Sequence, residues 1–197
     1  MAILNYGVGN LRSISKGLEN AGACVEVTHS PDFGSLDGLI LPGVGAFKAA
    51  LAHINRYRDE ITSFSQDRLI MGVCLGLQLL FTRSFEGGLN PGLNLIHGDV
   101  IMLPRTVKLP HIGWNTVRII GFDQILEGIK DEDYFYFVHS YYGKPVDGKV
   151  ILATSDHGTE FPAIIRHGNI YATQFHPEKS GEAGLKMLRN LVSIAKR

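Results

Sequence analysis

Three side chains in this sequence could together carry out acyl transfer: the thiol of Cys74, the imidazole of His176 and the carboxylate of Glu178. A cysteine attacks a carbonyl carbon as its thiolate, so it needs a base nearby. A histidine can take that proton and later return it to a leaving amine, while a carboxylate orients the imidazole. The long separation between Cys74 and His176 along the chain is no obstacle, because such triads assemble in space.

Cys74 lies in the sequence Gly72-Val73-Cys74-Leu75-Gly76. An apolar run precedes it, short enough for a buried strand, and leucines at helical spacing follow it. A strand, a sharp turn flanked by glycines and a helix form a nucleophile elbow, here with sulfur in place of oxygen. A small buried cysteine that closes a core strand is the alternative. The two glycines and the following helix favour the nucleophile.

His176 and Glu178 are separated by Pro177. Residues i and i+2 of an extended segment share a face, so both side chains can point to one site, and proline stiffens the backbone between them. A lone His-x-Glu is common in surface loops, and the elbow cysteine is what strengthens the prediction. The spacing fits no structural zinc site and no HExxH site, so we expect no metal.

Two glycine-rich loops follow predicted strands. In Pro42-Gly43-Val44-Gly45, backbone N–H groups could stabilise the oxyanion of a tetrahedral intermediate, although an ordinary turn between strand and helix has the same composition. The loop Gly7-Val8-Gly9 lacks the third glycine of a dinucleotide motif, because Arg12 stands there. We interpret this second loop as a tight turn at the rim of the sheet and a contact surface.

Composition limits the functional class. The 197 residues are 45% hydrophobic and carry no formal net charge, which predicts a single domain over residues 1–197 and gives no sign of nucleic-acid binding. Two cysteines are too few for a disulfide framework, so we expect a reducing, cytoplasmic location, with Cys24 filling the core. We find no signal peptide and no apolar run long enough to span a membrane.

The order of predicted elements favours an α/β fold: an open mixed sheet flanked by helices, with a β-rich second half. His167 is predicted to lie in a hairpin rather than in a catalytic site. We predict helices over residues 11–20, 46–64 and 184–195, and strands over residues 2–5, 24–28, 38–42, 69–73, 96–103, 107–109, 117–120, 134–139, 150–154, 163–166 and 170–174.

The segments around Cys74 and His176, Gly72-Val73-Cys74-Leu75-Gly76-Leu77-Gln78 and Gln174-Phe175-His176-Pro177-Glu178, resemble the two signatures of the class I (triad) glutamine amidotransferases. Pro42-Gly43-Val44-Gly45 is similar to their oxyanion strand. Three further segments resemble the glutaminase subunits of imidazole glycerol phosphate synthase: Asn5-Tyr6-Gly7-Val8-Gly9-Asn10-Leu11, Pro110-His111-Ile112-Gly113-Trp114-Asn115 and Phe137-Val138-His139-Ser140-Tyr141.

The resemblance implies hydrolysis of L-glutamine to glutamate and ammonia through a thioester on Cys74, with His176 as acid–base and Glu178 as the orienting carboxylate. It implies no cofactor. The remaining implied site residues fall into three groups: backbone oxyanion donors at Gly43, Val44 and Leu75; glutamine-binding residues Gly45, Gln78, Glu86, Ser140 and Tyr141; and partner-interface residues Asn10, Tyr136 and Lys179.

The implied partner is a separate cyclase subunit, a (β/α)₈ barrel that forms a heterodimer with this chain and uses the ammonia in histidine biosynthesis. Three alternatives stay open from the residues alone. They are the glutaminase subunit of another class I amidotransferase, a free-standing thiol hydrolase on the same fold, and a binding-only subunit with a vestigial site.

Overall fold

The computed structural model describes residues 1–7 and 10–196. In the described part, nine strands form one sheet in the order β2-β1-β3-β4-β13-β12-β11-β8-β9, and four form a second sheet in the order β10-β7-β5-β6. The strands are β1 (Ala2–Leu4), β2 (Glu26–Thr28), β3 (Gly38–Leu41), β4 (Leu69–Val73), β5 (Phe81–Ser84), β6 (Asn90–Pro91), β7 (Ile96–Met102), β8 (His111–Ile119), β9 (Asp133–His139), β10 (Tyr141–Pro145), β11 (Ile151–Asp156), β12 (Glu160–His167) and β13 (Ile170–Thr173).

The large sheet changes character along its width. From β2 to β13 every neighbouring pair is parallel, and from β13 to β9 every pair is antiparallel. The carboxyl ends of β3 and β4 therefore lie side by side, which is the edge where open α/β sheets place their ligands. This is the mixed sheet predicted from the sequence.

Five α-helices flank the sheet in the described residues: α1 (Leu11–Asn20), α2 (Phe47–Ile54), α3 (Arg58–Asp67), α4 (Leu75–Leu79) and α5 (Gly181–Ala195). Buried side chains of α1 and α5 pack with Ile3, Ile40 and Met71 on one face. Those of α2, α3 and α4 pack with alternate positions of the same strands, such as Leu39 and Ile70, on the other. The central strands are thus apolar on both faces, as a sheet covered on two sides requires.

Two predicted elements differ in the structure. The segment of residues 107–109 contains no strand; the N–H of Val107 instead donates to the carbonyl of Pro104 in a turn. The predicted helix over residues 46–64 is divided at Tyr57, whose backbone leaves helical geometry (φ −114°, ψ 17°) and whose hydroxyl donates to the His29 carbonyl. A tertiary contact has overridden the helical periodicity there.

Cys24 was expected in the core and is exposed. It precedes β2, an edge strand of the large sheet in which Glu26 and Val27 are themselves exposed, so this edge position leaves the Cys24 side chain accessible to solvent. Other predictions are confirmed: α1 spans residues 11–20 as expected, and His167 pairs with Ile170 in the β12–β13 hairpin. Val8 and Gly9 of the second glycine loop lie outside the described residues. No helix of the described chain combines the length and apolar character needed to cross a bilayer.

Candidate active site

Cys74 occupies the turn between β4 and α4. Its backbone has φ 51° and ψ −101°, a conformation that non-glycine residues rarely adopt. Such strain costs about 1–3 kcal/mol and persists only where the surroundings impose it. The Cys74 N–H donates to the Thr173 carbonyl at 2.7 Å, and the Cys74 carbonyl accepts from the Gln78 N–H at 3.1 Å. These bonds hold the turn from both sides, so the structure contains the sharp strand–turn–helix connection predicted from the sequence.

Three glycines let the elbow pack this tightly. A Cβ on Gly76 would lie 1.8 Å from the Leu41 oxygen, and one on Gly72 would lie 2.8 Å from the Gly76 oxygen. A Cβ on Gly43 would lie 2.4 Å from the Leu75 Cβ. Strand β3, strand β4 and the start of α4 can approach so closely only because no side chain stands between them.

The Cys74 side chain is 5% exposed and has two polar neighbours within hydrogen-bond range of sulfur. Its Sγ lies 3.7 Å from the Val138 carbonyl oxygen, to which the thiol can donate. The amide Nε2 of Gln174 donates to Sγ at 3.6 Å. A donor aimed at sulfur favours the thiolate form that nucleophilic attack requires.

His176 and Glu178 lie side by side below the carboxyl end of β13. The Nδ1 of His176 is 2.9 Å from Oε1 of Glu178, and both side chains are almost fully buried. The backbone is fixed as well, because the His176 N–H donates to the Tyr136 carbonyl and its own carbonyl accepts from the Ser180 hydroxyl. The structure thus brings together the imidazole–carboxylate pair that the sequence predicted.

Burial lowers the pKa of His176, but its interactions with Cys74 and Glu178 outweigh burial and raise the pKa to about 9. Nε2 has no hydrogen-bond partner among the described residues. Cys74 therefore lies outside ordinary hydrogen-bond geometry from this nitrogen, yet close enough for its charge to act on the ring. The arrangement favours an imidazolium at neutral pH, with Nε2 free to deliver a proton.

A pocket of about 290 Å³ opens above Cys74. All five residues predicted to bind glutamine line it, and so do Val44 and Leu75 of the predicted oxyanion group. Burial raises the pKa of the half-buried Glu86 carboxylate, and a hydrogen bond from the Phe47 N–H at 3.4 Å opposes that shift. A pocket of this size, polar at a few points and open to Cys74, suits a single amino acid.

The oxyanion loop (residues 42–45) has a definite backbone orientation. The Gly43 carbonyl accepts from the Leu75 N–H at 3.5 Å. Because the carbonyl and the next N–H of a trans peptide point in opposite directions, the Val44 N–H is turned away from the Leu75 amide. The buried Tyr6 hydroxyl donates to the neighbouring Pro42 carbonyl. Burial, and next the charge of Cys74, raise the pKa of this tyrosine, which therefore stays a donor.

Two of the predicted interface residues lie together, and the third caps a helix. Lys179 places Nζ 5.8 Å from the centre of the Tyr136 ring, which also packs edge-on against Trp114 at 6.0 Å. Asn10 caps α1 by accepting from the Ser13 N–H at 3.3 Å. Ile112, Trp114 and Tyr134 are 55–61% exposed on the same two strands.

Sequence reasoning assigned no role to Gln174 or Tyr6. Gln174 is two residues before His176, and this i, i+2 spacing could have indicated that it faces the same site. Tyr6 lies two residues after the end of β1, and the parallel neighbour β3 leads into the oxyanion loop. Its contact with Pro42 depends on that strand order, which the residues alone did not give.

Comparison with known proteins agrees with this geometry. A sequence model of the class I glutamine amidotransferases matches residues 2–194. The imidazole glycerol phosphate synthase subunit HisH of Archaeoglobus fulgidus is 47% identical over 199 aligned residues, covering 100% of both chains. The protein of that name from Methanothermobacter thermautotrophicus is 49% identical, covering 98% of both chains.

Solved structures share the fold at lower identity. A crystal structure of a glutamine amidotransferase has a TM-score of 0.76 at 19% identity and covers 100% of this chain and 98% of its own. PurLQS from Thermotoga maritima has a TM-score of 0.77 at 19% identity, covering 98% and 97%. The full-length matches place the chain in the class I glutamine amidotransferase family and, within it, in the family of imidazole glycerol phosphate synthase subunits HisH.

Proposed function

We propose that this chain is the glutaminase subunit of imidazole glycerol phosphate synthase and that it hydrolyses L-glutamine to supply ammonia to a cyclase subunit. The observation that carries the proposal is the strained, buried Cys74 at the base of a pocket sized for an amino acid, beside the His176–Glu178 pair. The full-length relatives named as HisH subunits support the choice of synthase.

Each bond-making and bond-breaking step of the proposed reaction is assigned to Cys74 or His176. The Cys74 thiolate attacks the side-chain amide carbon of glutamine, so a C–S bond forms and the carbonyl electrons move to oxygen. Collapse of this intermediate breaks the C–N bond, and the leaving nitrogen takes a proton from Nε2 of His176. A water molecule, deprotonated by the same nitrogen, then attacks the thioester and releases glutamate and the thiolate. Glu178 steadies the imidazolium throughout.

The pocket residues can hold the rest of the substrate. A carboxylate near the pocket mouth, Glu86, is suited to the α-ammonium group of glutamine by charge. Gln78, Ser140 and Tyr141 offer amide, hydroxyl and backbone groups for its remaining polar atoms. These assignments are part of the proposal.

The oxyanion loop supports a resting state of low activity. With the Gly43 carbonyl facing the Leu75 N–H, the hole presents an acceptor where the intermediate needs a second donor. Rotation of the Gly43–Val44 peptide would exchange that carbonyl for the Val44 N–H. One oxyanion donor is worth about 100- to 1,000-fold in rate, so this rotation can control the enzyme.

The exposed apolar residues of β8 and β9 support a partner at that edge of the sheet. An exposed, largely apolar surface lies there, formed by Ile112, Trp114, Tyr134, Tyr136 and Lys179. Exposed apolar patches of this kind often mark sites of protein–protein contact. We propose that a (β/α)₈-barrel cyclase covers this surface in a heterodimer, with Asn10 at the start of α1 also in contact. Ammonia released beside Cys74 would then pass directly to the acceptor subunit.

The test of this function is glutamate formation by the purified chain alone, with a cyclase barrel subunit, and with that subunit and its nucleotide ligand. We expect low activity alone and a rise of about 100- to 1,000-fold in the loaded complex, the value of one oxyanion donor. Cys74→Ala serves as the blank. Full activity without a partner would indicate a free-standing thiol hydrolase, and the absence of activation by this cyclase would indicate another amidotransferase.

The pH dependence of the loaded complex gives a separate prediction. Because the protonated His176 must deliver a proton to the leaving nitrogen, kcat/KM should fall above pH about 9, where this group loses its proton. Glu178→Gln keeps a hydrogen-bond acceptor for Nδ1 but removes the charge that helps to raise the pKa. The alkaline limb should therefore move to lower pH in Glu178→Gln, and an unchanged limb would contradict the assignment.

A further inference from the structure

Beside the proposed glutamine pocket, which His139 helps to line, two buried histidines form a continuous hydrogen-bonded chain between β8 and β9. His111 and His139 stand directly opposite each other in the antiparallel pair, with His111 Nδ1 3.1 Å from His139 Nε2. At one end, Nδ2 of Asn115 lies 3.3 Å from His111 Nε2. At the other, His139 Nδ1 lies 3.0 Å from the Tyr141 carbonyl oxygen. The proposed mechanism uses none of these side chains.

The direction of this chain is fixed at both ends. Oδ1 of Asn115 accepts from the Thr116 N–H at 2.8 Å, so its nitrogen is the atom that faces His111. Since Nδ2 can only donate, His111 Nε2 must accept and Nδ1 must carry the proton. His139 Nε2 then accepts, and its Nδ1–H donates to the Tyr141 carbonyl. A change of tautomer in either ring would set two lone pairs or two hydrogens against each other.

The surroundings keep both rings neutral. His111 and His139 are each 5% exposed, and aromatic rings of Phe137 and Phe161 pack on them. Burial, followed by the charge of His157, lowers the pKa of His111 to about 4. Burial also lowers the pKa of His139 to about 3, despite the opposing bond to Tyr141, and the other histidines add to the shift. A proton added to the pair would create a buried positive charge without a neighbouring carboxylate among the described residues, which costs free energy.

The Tyr141 carbonyl at the end of the chain belongs to the pocket. It accepts a second hydrogen bond, at 2.8 Å, from Nε2 of Gln78. The same nitrogen lies 3.5 Å from Oε1 of Gln174, whose own Nε2 donates to the Cys74 sulfur. One buried polar network therefore runs from Asn115 to the Cys74 sulfur.

We infer that His111 and His139 are positioning residues for glutamine binding, which act as a neutral, tautomer-locked pair to hold the Tyr141 carbonyl and, through it, the side-chain amide of Gln78. This inference rests on the proposed glutaminase activity. Its effect should fall on the affinity for glutamine rather than on bond breaking, because neither ring reaches the reacting sulfur.

The first experiment measures the imidazole nitrogen chemical shifts of the full ¹⁵N-labelled chain near pH 7. We expect both His111 and His139 to be neutral and protonated on Nδ1. Either ring protonated on Nε2, or charged, would overturn the inference. This measurement needs no variant and no activity, so it remains decisive if glutamine hydrolysis by the loaded complex is not found and the proposed function fails.

The second experiment compares two variants in the loaded complex. Asn115→Asp is nearly isosteric but presents a hydrogen-bond acceptor to His111 Nε2. This nitrogen would then have to donate instead of accept, which favours the opposite tautomer of His111. We expect KM for glutamine to rise about tenfold, the effect of one misdirected hydrogen bond, with kcat changed less than threefold. The matched control is His157→Gln, which removes a ring stacked on His111 at 4.1 Å but lies outside the chain.

His157→Gln should keep KM within twofold of the original chain. Equal changes in the two variants would mean that packing around His111, and not the direction of its hydrogen bonds, is what matters. An unchanged KM in Asn115→Asp would also overturn the inference. If Asn115→Asp does not fold, the nitrogen shifts of the original chain decide the question.

Discussion

Replacement of His176 by asparagine should lower the glutaminase kcat/KM of the loaded complex by at least about a thousandfold. Positioned acid–base catalysis alone contributes about 100- to 10,000-fold, and loss of the histidine of a triad disables the nucleophile as well. Asparagine can still donate to Glu178 from roughly the position of Nδ1, but it has no atom in place of Nε2. The variant therefore removes the proton carrier while it keeps a partner for the buried carboxylate.

Two measurements make this prediction specific. Alkylation of Cys74 by iodoacetamide near pH 7 should be slower in His176→Asn, because the thiolate has lost its neighbouring cation. His167→Asn is the matched control, since His167 lies exposed in the β12–β13 hairpin and should leave both rates unchanged. If His176→Asn kept more than a tenth of the activity, the acid–base assignment would be wrong.

The turn at Cys74 and helix α1 could be predicted because they depend on local patterns. The glycines at positions 72 and 76 indicate a tight turn in which a larger residue would not fit. A Cβ at either position would indeed lie within 2.8 Å of another backbone atom. Helix α1 ends where its apolar spacing ends, at Asn20, with Gly22 two residues further on. In each of these cases a residue type has few alternative conformations, so the sequence pattern alone is informative.

The features that could not be predicted from the sequence depend on how distant segments of the chain align in the fold. The His111–His139 pair exists because β8 and β9 align these two positions, and neither motif alone specifies that register. The orientation of the Gly43 peptide is likewise a choice between two backbone states that the same four residues can adopt. Cys24 is exposed because it lies beside β2 at the edge of the large sheet, and apolar composition did not show that this strand would be an edge strand.

Substitution of Gly76 by alanine should destabilise the chain by about 4 kcal/mol, among the largest effects expected of a single methyl group. The new Cβ would lie 1.8 Å from the Leu41 oxygen and 2.7 Å from the Leu41 carbonyl carbon, both backbone atoms that no rotamer change can move. Strand β3 and helix α4 would have to separate. For a chain of this length the midpoint of thermal unfolding should fall by about 8–16 °C.

Gly148→Ala is the control for Gly76→Ala, because a Cβ there would meet no atom within 4 Å and its φ lies outside the left-handed region. The unfolding midpoint of this control should change by no more than about 2 °C, since the extra methyl group costs little at a compatible position. If the two alanine variants unfolded at the same temperature, the close approach of Leu41 to the elbow would not constrain the fold. Folded Gly76→Ala protein should also lose glutaminase activity, because separation of β3 from α4 moves the Gly43 carbonyl and the Leu75 N–H apart and displaces the donors of the oxyanion hole.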